Sequence, residues 1–165
     1  PGEDEGEFLR RVCDRKGALV VLDQLSDPRN IGSIIRSAEA LGADCVVLPR
    51  SHSSGITATV TKASAGATAH VKILTVPNIS QFLDTGRSMG FWTIGASEDG
   101  EKIPEDIVGY RPASLVIGSE GSGMRRLTRE KCDFTVRIPL RGNISSLNAS
   151  VAAGILLYEL LKKKP

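Results

Sequence analysis

Arg137-Ile138-Pro139-Leu140-Arg141-Gly142-Asn143-Ile144-Ser145-Ser146-Leu147-Asn148-Ala149-Ser150 is the stretch on which the reading of the fold turns. A strand ends at Pro139, a glycine-containing turn follows, and Ser and Asn side chains gather where an apolar helix should begin. Free N–H groups and short polar caps at a helix start suit a ligand. Two similar strand-to-loop junctions lie upstream, at Asp23 to Arg36 and at Ile117 to Met124. Three such junctions in 165 residues predict one composite pocket.

Short continuous apolar runs recur at Ala18 to Leu22, Cys45 to Leu48, Val71 to Leu74, Phe91 to Ile94, Ser114 to Ile117 and Phe134 to Ile138. Runs of this kind mark strands buried on both faces, and six is the minimum count. Between them, Ile31, Ile34, Ile35, Ala38 and Leu41 keep the spacing of an amphipathic helix that Gly42 stops. Asn78 to Met89 reads as a second helix, with Ile79, Phe82 and Leu83 on one side. Strands alternating with helices predict an α/β fold on a mainly parallel sheet, with ligand chemistry at the carboxyl ends of its strands. The last helix, Leu147 to Leu161, is apolar almost all round. Either it is buried inside one subunit or half of it meets a second copy of the chain; the dimer is preferred, because a domain of this size covers little on both sides.

At 165 residues, 41% of them hydrophobic, the chain predicts a single domain with a real core. Four acids and one arginine in the first ten residues leave 20 basic against 15 acidic residues from Arg11 onward, a mildly basic balance compatible with RNA. Residues 1–12 read as an acidic linker or disordered terminus and residues 13–165 as the folded domain. Cys13, Cys45 and Cys132 are odd in number and widely spaced, which predicts a reduced, cytoplasmic protein without a zinc site. The most apolar run, Val151 to Leu161, is too short for a membrane span and contains Glu159. Cys45 and Trp92 read as core residues.

The usual nucleotide signatures are missing. The loop Asp23-Gln24-Leu25-Ser26-Asp27-Pro28-Arg29-Asn30 lacks the glycines of a dinucleotide site, and no phosphate loop is present. Gly118-Ser119-Glu120-Gly121-Ser122-Gly123 carries a glutamate in its middle, which argues for a ligand with hydroxyl, amine or cationic groups. His52 and His70 have no neighbours that suggest a triad or metal site and read as surface residues. Aromatics are only 4% of the chain, so RNA contact would fall to arginines rather than to stacking platforms.

Asn30-Ile31-Gly32-Ser33-Ile34-Ile35-Arg36-Ser37-Ala38, Leu115 through Met124 and Ile138-Pro139-Leu140 through Ser145-Ser146-Leu147-Asn148-Ala149-Ser150 resemble, in order, the three motifs of the SpoU (TrmH-like) class of SPOUT RNA methyltransferases. Met124 through Cys132 and Ser145 through Asn148 most resemble the bacterial 23S rRNA guanosine 2′-O-methyltransferase branch. The resemblance implies a SPOUT α/β knot with a deep C-terminal trefoil, a homodimer joined through the C-terminal helix and knot region, and an N-terminal RNA-binding domain lacking from this chain. It implies S-adenosyl-L-methionine as cofactor, S-adenosylhomocysteine as product, and methyl transfer to a ribose 2′-hydroxyl of 23S rRNA in preference to tRNA, with no metal and no membrane. A non-catalytic RNA-binding module on the same fold is the alternative.

By motif matching, the resemblance places Asn30, Arg36, Glu120, Ser146 and Asn148 in catalysis. It places Gly95, Ala96, Gly118, Gly121, Ile138, Leu140, Ser146 and Leu147 around the cofactor. Arg29, Asn30, Arg36, Arg125 and Arg141 are the expected RNA contacts, with Arg126 beside them. A ribose hydroxyl must lose its proton as the methyl arrives, so the protein must supply positioning and proton handling. Arg36 lies off the apolar stripe of its helix. A guanidinium is effectively always protonated, which leaves two roles open: a base once substrate phosphate orients it, or a charged stabiliser of the developing alkoxide. As plain helix caps, Ser146 and Asn148 would need no further function.

Overall fold

The apolar runs become the strands of one parallel sheet. A computed structural model describes residues 2–50, 60, 62 and 65–163. Its strands are β1 (Ala18–Asp23), β2 (Cys45–Pro49), β3 (Lys72–Val76), β4 (Trp92–Ala96), β5 (Ala113–Gly118) and β6 (Phe134–Val136), in the order β3-β2-β1-β5-β4-β6. Every neighbouring pair is parallel. β1 and β2 are buried along their whole lengths, which is why they read as unbroken apolar runs rather than alternating ones.

Successive side chains of each strand enter different cores, as the period of two requires. Val20 and Leu22 of β1, with Leu115 and Ile117 of β5, pack under α2 (Pro28–Leu41) and the C-terminal helix Ala149–Leu161. Leu19 and Val21, with Val116, pack on the other face under α1 (Glu5–Asp14) and α3 (Ile79–Met89). A short helix, α4 (Arg126–Glu130), precedes β6, so the C-terminal helix is α5. The result is three layers with helices on both faces of the sheet.

Asp27 caps α2 by accepting from the Arg29 N–H, and Pro28 occupies its first turn. The helix therefore starts before the first periodic apolar residue, Ile31, and Asn30 falls inside its N-terminal turn. β1 is flanked by β2 on one side and β5 on the other, so the strand order reverses there, and the C-terminal ends Asp23 and Gly118 are register partners. Such a reversal is where open α/β sheets bind ligands.

Residues 5–14 correct the expectation of a linker through residue 12. Asp4 and Glu7 form a reciprocal capping box, with the Glu7 N–H 2.8 Å from Asp4 Oδ1 and the Asp4 N–H 3.4 Å from Glu7 Oε2. Phe8, Leu9 and Val12 are buried in the same core as Ile79, Phe82 and Leu83 of α3. Of the acids that suggested disorder, Glu5 and Glu7 lie in the first turn, where the helix dipole favours them, Asp4 is the cap and Glu3 pairs with Arg11. Trp92 also departs from expectation: it is 42% exposed, its ring 5.1 Å from that of Tyr110. Cys45 is buried, as its strand position predicted.

Leu9→Ala should lower the unfolding free energy by about 3 kcal/mol in a urea titration, the usual cost of deleting a buried leucine. A change within experimental error would mean that α1 detaches in solution.

Candidate active site

Gly118 ends β5 because nothing larger fits: a Cβ there would collide with the backbone of Gly123 and Met124. The Ser119 N–H donates to the Gly123 carbonyl at 3.2 Å and the Gly123 N–H to the Ser119 carbonyl at 2.8 Å, closing a tight loop. Gly121 and Gly123 hold left-handed φ values of 84° and 68° that side chains disfavour. The loop presents Glu120 toward α5. There Glu120 Oε1 accepts the Ala149 N–H at 2.9 Å and makes a longer contact with Asn30 Nδ2 at 3.5 Å. Asn148 Nδ2 donates to Asn30 Oδ1 at 3.1 Å.

Asn148 also caps α5, its Oδ1 accepting the Ser150 N–H at 2.9 Å. The capping and site readings of Asn148 therefore hold together, since its amide oxygen serves the helix while its NH2 faces Asn30. Asn30, Glu120 and Asn148 come from three distant segments and close one polar ring at the N-termini of α2 and α5.

Beside the ring lies a cavity of about 920 Å³ at the ends of β4, β5 and β6. Ala96, Gly118, Gly121, Ile138, Leu140, Ser146 and Leu147, which the motif matching had grouped, line it together. Ile117, Ala152 and Leu156 extend its apolar side; Ser97, Glu98, Asp99, Arg129 and Arg137 form a polar one. Residues 138–147 adopt no regular secondary structure, and among the described residues their backbone groups make no hydrogen bond, so those lining the cavity are open to a ligand.

Several expected residues stand elsewhere. Gly95 does not line the cavity, because strand alternation turns it to the opposite face from Ile94 and Ala96. A Cβ on Gly95 would lie 2.7 Å from Cys132 Sγ and from Met124 Cε, so this glycine makes room for sulfur packing. Arg36 is exposed on α2 and, among the described residues, forms no ion pair or side-chain hydrogen bond. The seven-residue spacing puts it on the stripe of Arg29, whereas Asn30 shares its face with Ser37, which packs against Gly154 of α5. Ser146 is not a cap; it lines the cavity, its hydroxyl unbonded among the described residues. Arg29 and Arg141 are exposed, and Arg126 pairs with Glu130 at 3.2 Å. His70 is exposed and does not line the cavity, and His52 lies outside the described residues.

The sequence profile of the SpoU rRNA methylase family matches residues 17–158. A Staphylococcus haemolyticus protein named as a TrmH-family tRNA/rRNA methyltransferase is 43% identical over 163 residues, which cover 98% of this chain and 66% of that protein. The chain belongs to the SpoU rRNA methylase family. It spans just under two thirds of that relative's length. The crystal structure of the SpoU methyltransferase AviRb from Streptomyces viridochromogenes, in complex with its cofactor AdoMet, superposes with a TM-score of 0.83 at 33% identity, covering 98% of this chain and 64% of that one. The structure of an RNA 2′-O ribose methyltransferase superposes with a TM-score of 0.78 at 29% identity, covering 88% and 56%.

Reading by motif missed two polar devices of this SpoU domain. The first is Asp23, fully buried at the end of β1, which binds the Arg125 guanidinium at 3.0 and 3.1 Å and the Arg125 N–H at 2.7 Å. Arg125, an expected RNA contact, is thereby committed to a carboxylate. The signal was visible: an acid closing a wholly apolar strand needs a partner. The second joins the loop after β4 to α4, where Arg129 donates to Ser97 Oγ at 3.0 Å and to Asp99 Oδ1 at 2.7 Å. Those hydrogen bonds, with the Arg129 charge, hold the Asp99 carboxyl down to about 2, so it is ionised at any working pH. Nothing in the local sequence pairs residues thirty positions apart.

Burial pushes the thiols of Cys45 and Cys132 up to about 12, so both stay protonated near neutrality. An acid raised by burial stabilises nothing extra below its unfolded pKa and penalises folding as pH climbs from there toward the folded value. Thermal stability should therefore fall between about pH 9 and 12, and the fall should be shallower in Cys45→Ala/Cys132→Ala when melts are compared across that range. Arg125→Ala should cost about 2 kcal/mol of unfolding free energy, less than a wholly buried pair because the arginine is half-exposed. Asp23→Asn in the Arg125→Ala background should recover part of it.

Proposed function

We propose that this chain is the catalytic unit of an S-adenosylmethionine-dependent methyltransferase that acts on a ribose 2′-hydroxyl of structured RNA. A guanosine of 23S rRNA is the preferred substrate and tRNA the second, with S-adenosylhomocysteine as product and a cytoplasmic setting. The observation that carries this reading is the large cavity opening beside the Asn30–Glu120–Asn148 ring. Membership of the SpoU family, the AdoMet-bound relative and the 2′-O ribose methyltransferase of like fold support it.

The residues present fit the cofactor. Gly118 lets the Gly123–Met124 backbone close against the end of β5, Ile117, Ile138, Leu147 and Leu156 offer an apolar slot for a base, and the unbonded backbone of residues 138–147 offers donors and acceptors to its edge. When bound, the cofactor supplies a methyl group on a sulfonium, a good leaving group. The chain then has to place the hydroxyl and handle its proton. Asn30 and Asn148 supply amide groups that orient a ribose, Ser146 a free hydroxyl, and Glu120 the carboxylate that locks the ring to α5. Arg36, standing off the ring, enters with the substrate, either taking the proton or stabilising the alkoxide.

A homodimer and a knotted C-terminal path are part of the proposal. For the dimer, the support is on α5, where Val151, Ile155 and Tyr158 expose 50%, 38% and 56% of their surfaces on one apolar stripe. No helix among the described residues is long and apolar enough to cross a membrane.

Titration calorimetry should find about one S-adenosylmethionine site per subunit, abolished in Ala152→Phe, whose ring would occupy the cavity, while circular dichroism keeps the fold. No heat at millimolar cofactor from the folded protein would overturn the proposal. With RNA, Arg36→Lys that regains rate mainly at high pH supports the base; uniform loss at all pH values supports the charge. Tyr158→Glu should shift sedimentation from dimer to monomer.

A further inference from the structure

The polar side of the cavity is built as a rigid panel. The Ser97 N–H donates to the Val136 carbonyl at 2.9 Å, the Gly100 N–H to the Ser97 carbonyl at 3.1 Å, and Arg137 Nη1 to the Gly100 carbonyl at 2.8 Å. Gly100 lies so close to β6 that a Cβ would strike the Val136 backbone. Arg129 clamps the same loop through Ser97 and Asp99, and that ion pair neutralises both its members.

Of the other lining charges, Glu120 already accepts the Ala149 N–H and contacts Asn30, which leaves Glu98 and Arg137. Glu98 forms no hydrogen bond or ion pair among the described residues, and Arg137 has only the neutral Gly100 carbonyl. Both line one cavity, and among the described residues neither pairs with the other or with any other charge. A held-open pair of opposite charges on a preorganised loop is complementary to a zwitterion.

We propose that Glu98 and Arg137 form the recognition site for the α-amino acid end of the cofactor, Glu98 taking the ammonium and Arg137 the carboxylate. The inference rests on the reading of the cavity as an S-adenosylmethionine site. Ser97, Asp99 and Arg129 are positioning residues, holding the loop without touching ligand. The apolar slot on the opposite side is left for the adenine, so the two ends of the ligand are read by different chemistry.

The test compares S-adenosylhomocysteine, which has the amino acid end, with methylthioadenosine, which keeps adenine, ribose and thioether but lacks it. By calorimetry, Glu98→Gln and Arg137→Gln should each weaken S-adenosylhomocysteine about tenfold, as loss of a charge-assisted hydrogen bond does, and leave methylthioadenosine unchanged. Glu98 is exposed and unpaired, so its replacement should leave the melting temperature in place. Equal weakening of both ligands would overturn the proposal, because it would put Glu98 on the ribose or make the effect structural. No change in either ligand would overturn it as well. If the unsubstituted protein binds neither ligand, it is the methyltransferase reading that fails.

Discussion

The Asp23–Arg125 ion pair fastens the point at which the sheet changes direction. β1 ends in a carboxylate with no exposure to water, and its one ion pair among the described residues is with Arg125, immediately after the glycine loop of β5. A lone buried carboxylate is expensive, so the loop from Gly118 to Met124 is obliged to return to the end of β1. That return carries Glu120 to the N-terminus of α5, where it meets a backbone N–H otherwise left without a partner. The polar ring and the cavity beside it are thus consequences of satisfying a charge and a helix end.

Glycine does the complementary work. At Gly118 and Gly100 the constraint is close approach: the backbones of Met124 and Val136 pass where a side chain would be. Both sites bring a loop down onto the carboxyl ends of the strands, giving the cavity a floor and one wall without long loops. Gly95 illustrates the opposite outcome. Its neighbour in sequence, Ala96, lines the cavity, but the strand period sends Gly95 into sulfur packing with Cys132 and Met124. Adjacency along a strand is therefore a poor guide to adjacency in a site.

The electrostatics of the cavity separate into neutralised and open charges. Asp99 with Arg129, and Asp23 with Arg125, are internally paired and serve the architecture. Glu120 is held by the Ala149 N–H and Asn30 rather than by a cation, Glu98 and Arg137 have no ion pair among the described residues, and Arg36 stands apart on the outward stripe of α2. The open charges are the ones that a ligand could still answer, whereas the paired ones resist change because each partner would be left alone.

Local pattern determined the strands, the helices α2 and α3 and the parallel α/β class, because burial on both faces and a 3.6-residue period are written in consecutive residues. The three loops were legible too, since Asn30, Glu120 and Asn148 sit at strand-to-helix junctions whose chemistry is recognisable in short stretches. Helix α1 was misread although its capping box was present: the acidity of residues 3–7 outweighed the burial of Phe8, Leu9 and Val12, which exists only once α3 lies beside them. Which residue answers Asp23, the sulfur packing at Gly95 and the clamp of Arg129 on Asp99 were decided by tertiary structure alone. Each depends on residues brought together from distant parts of the chain, and the energy of a buried charge or a filled space belongs to the assembled neighbourhood and not to either segment.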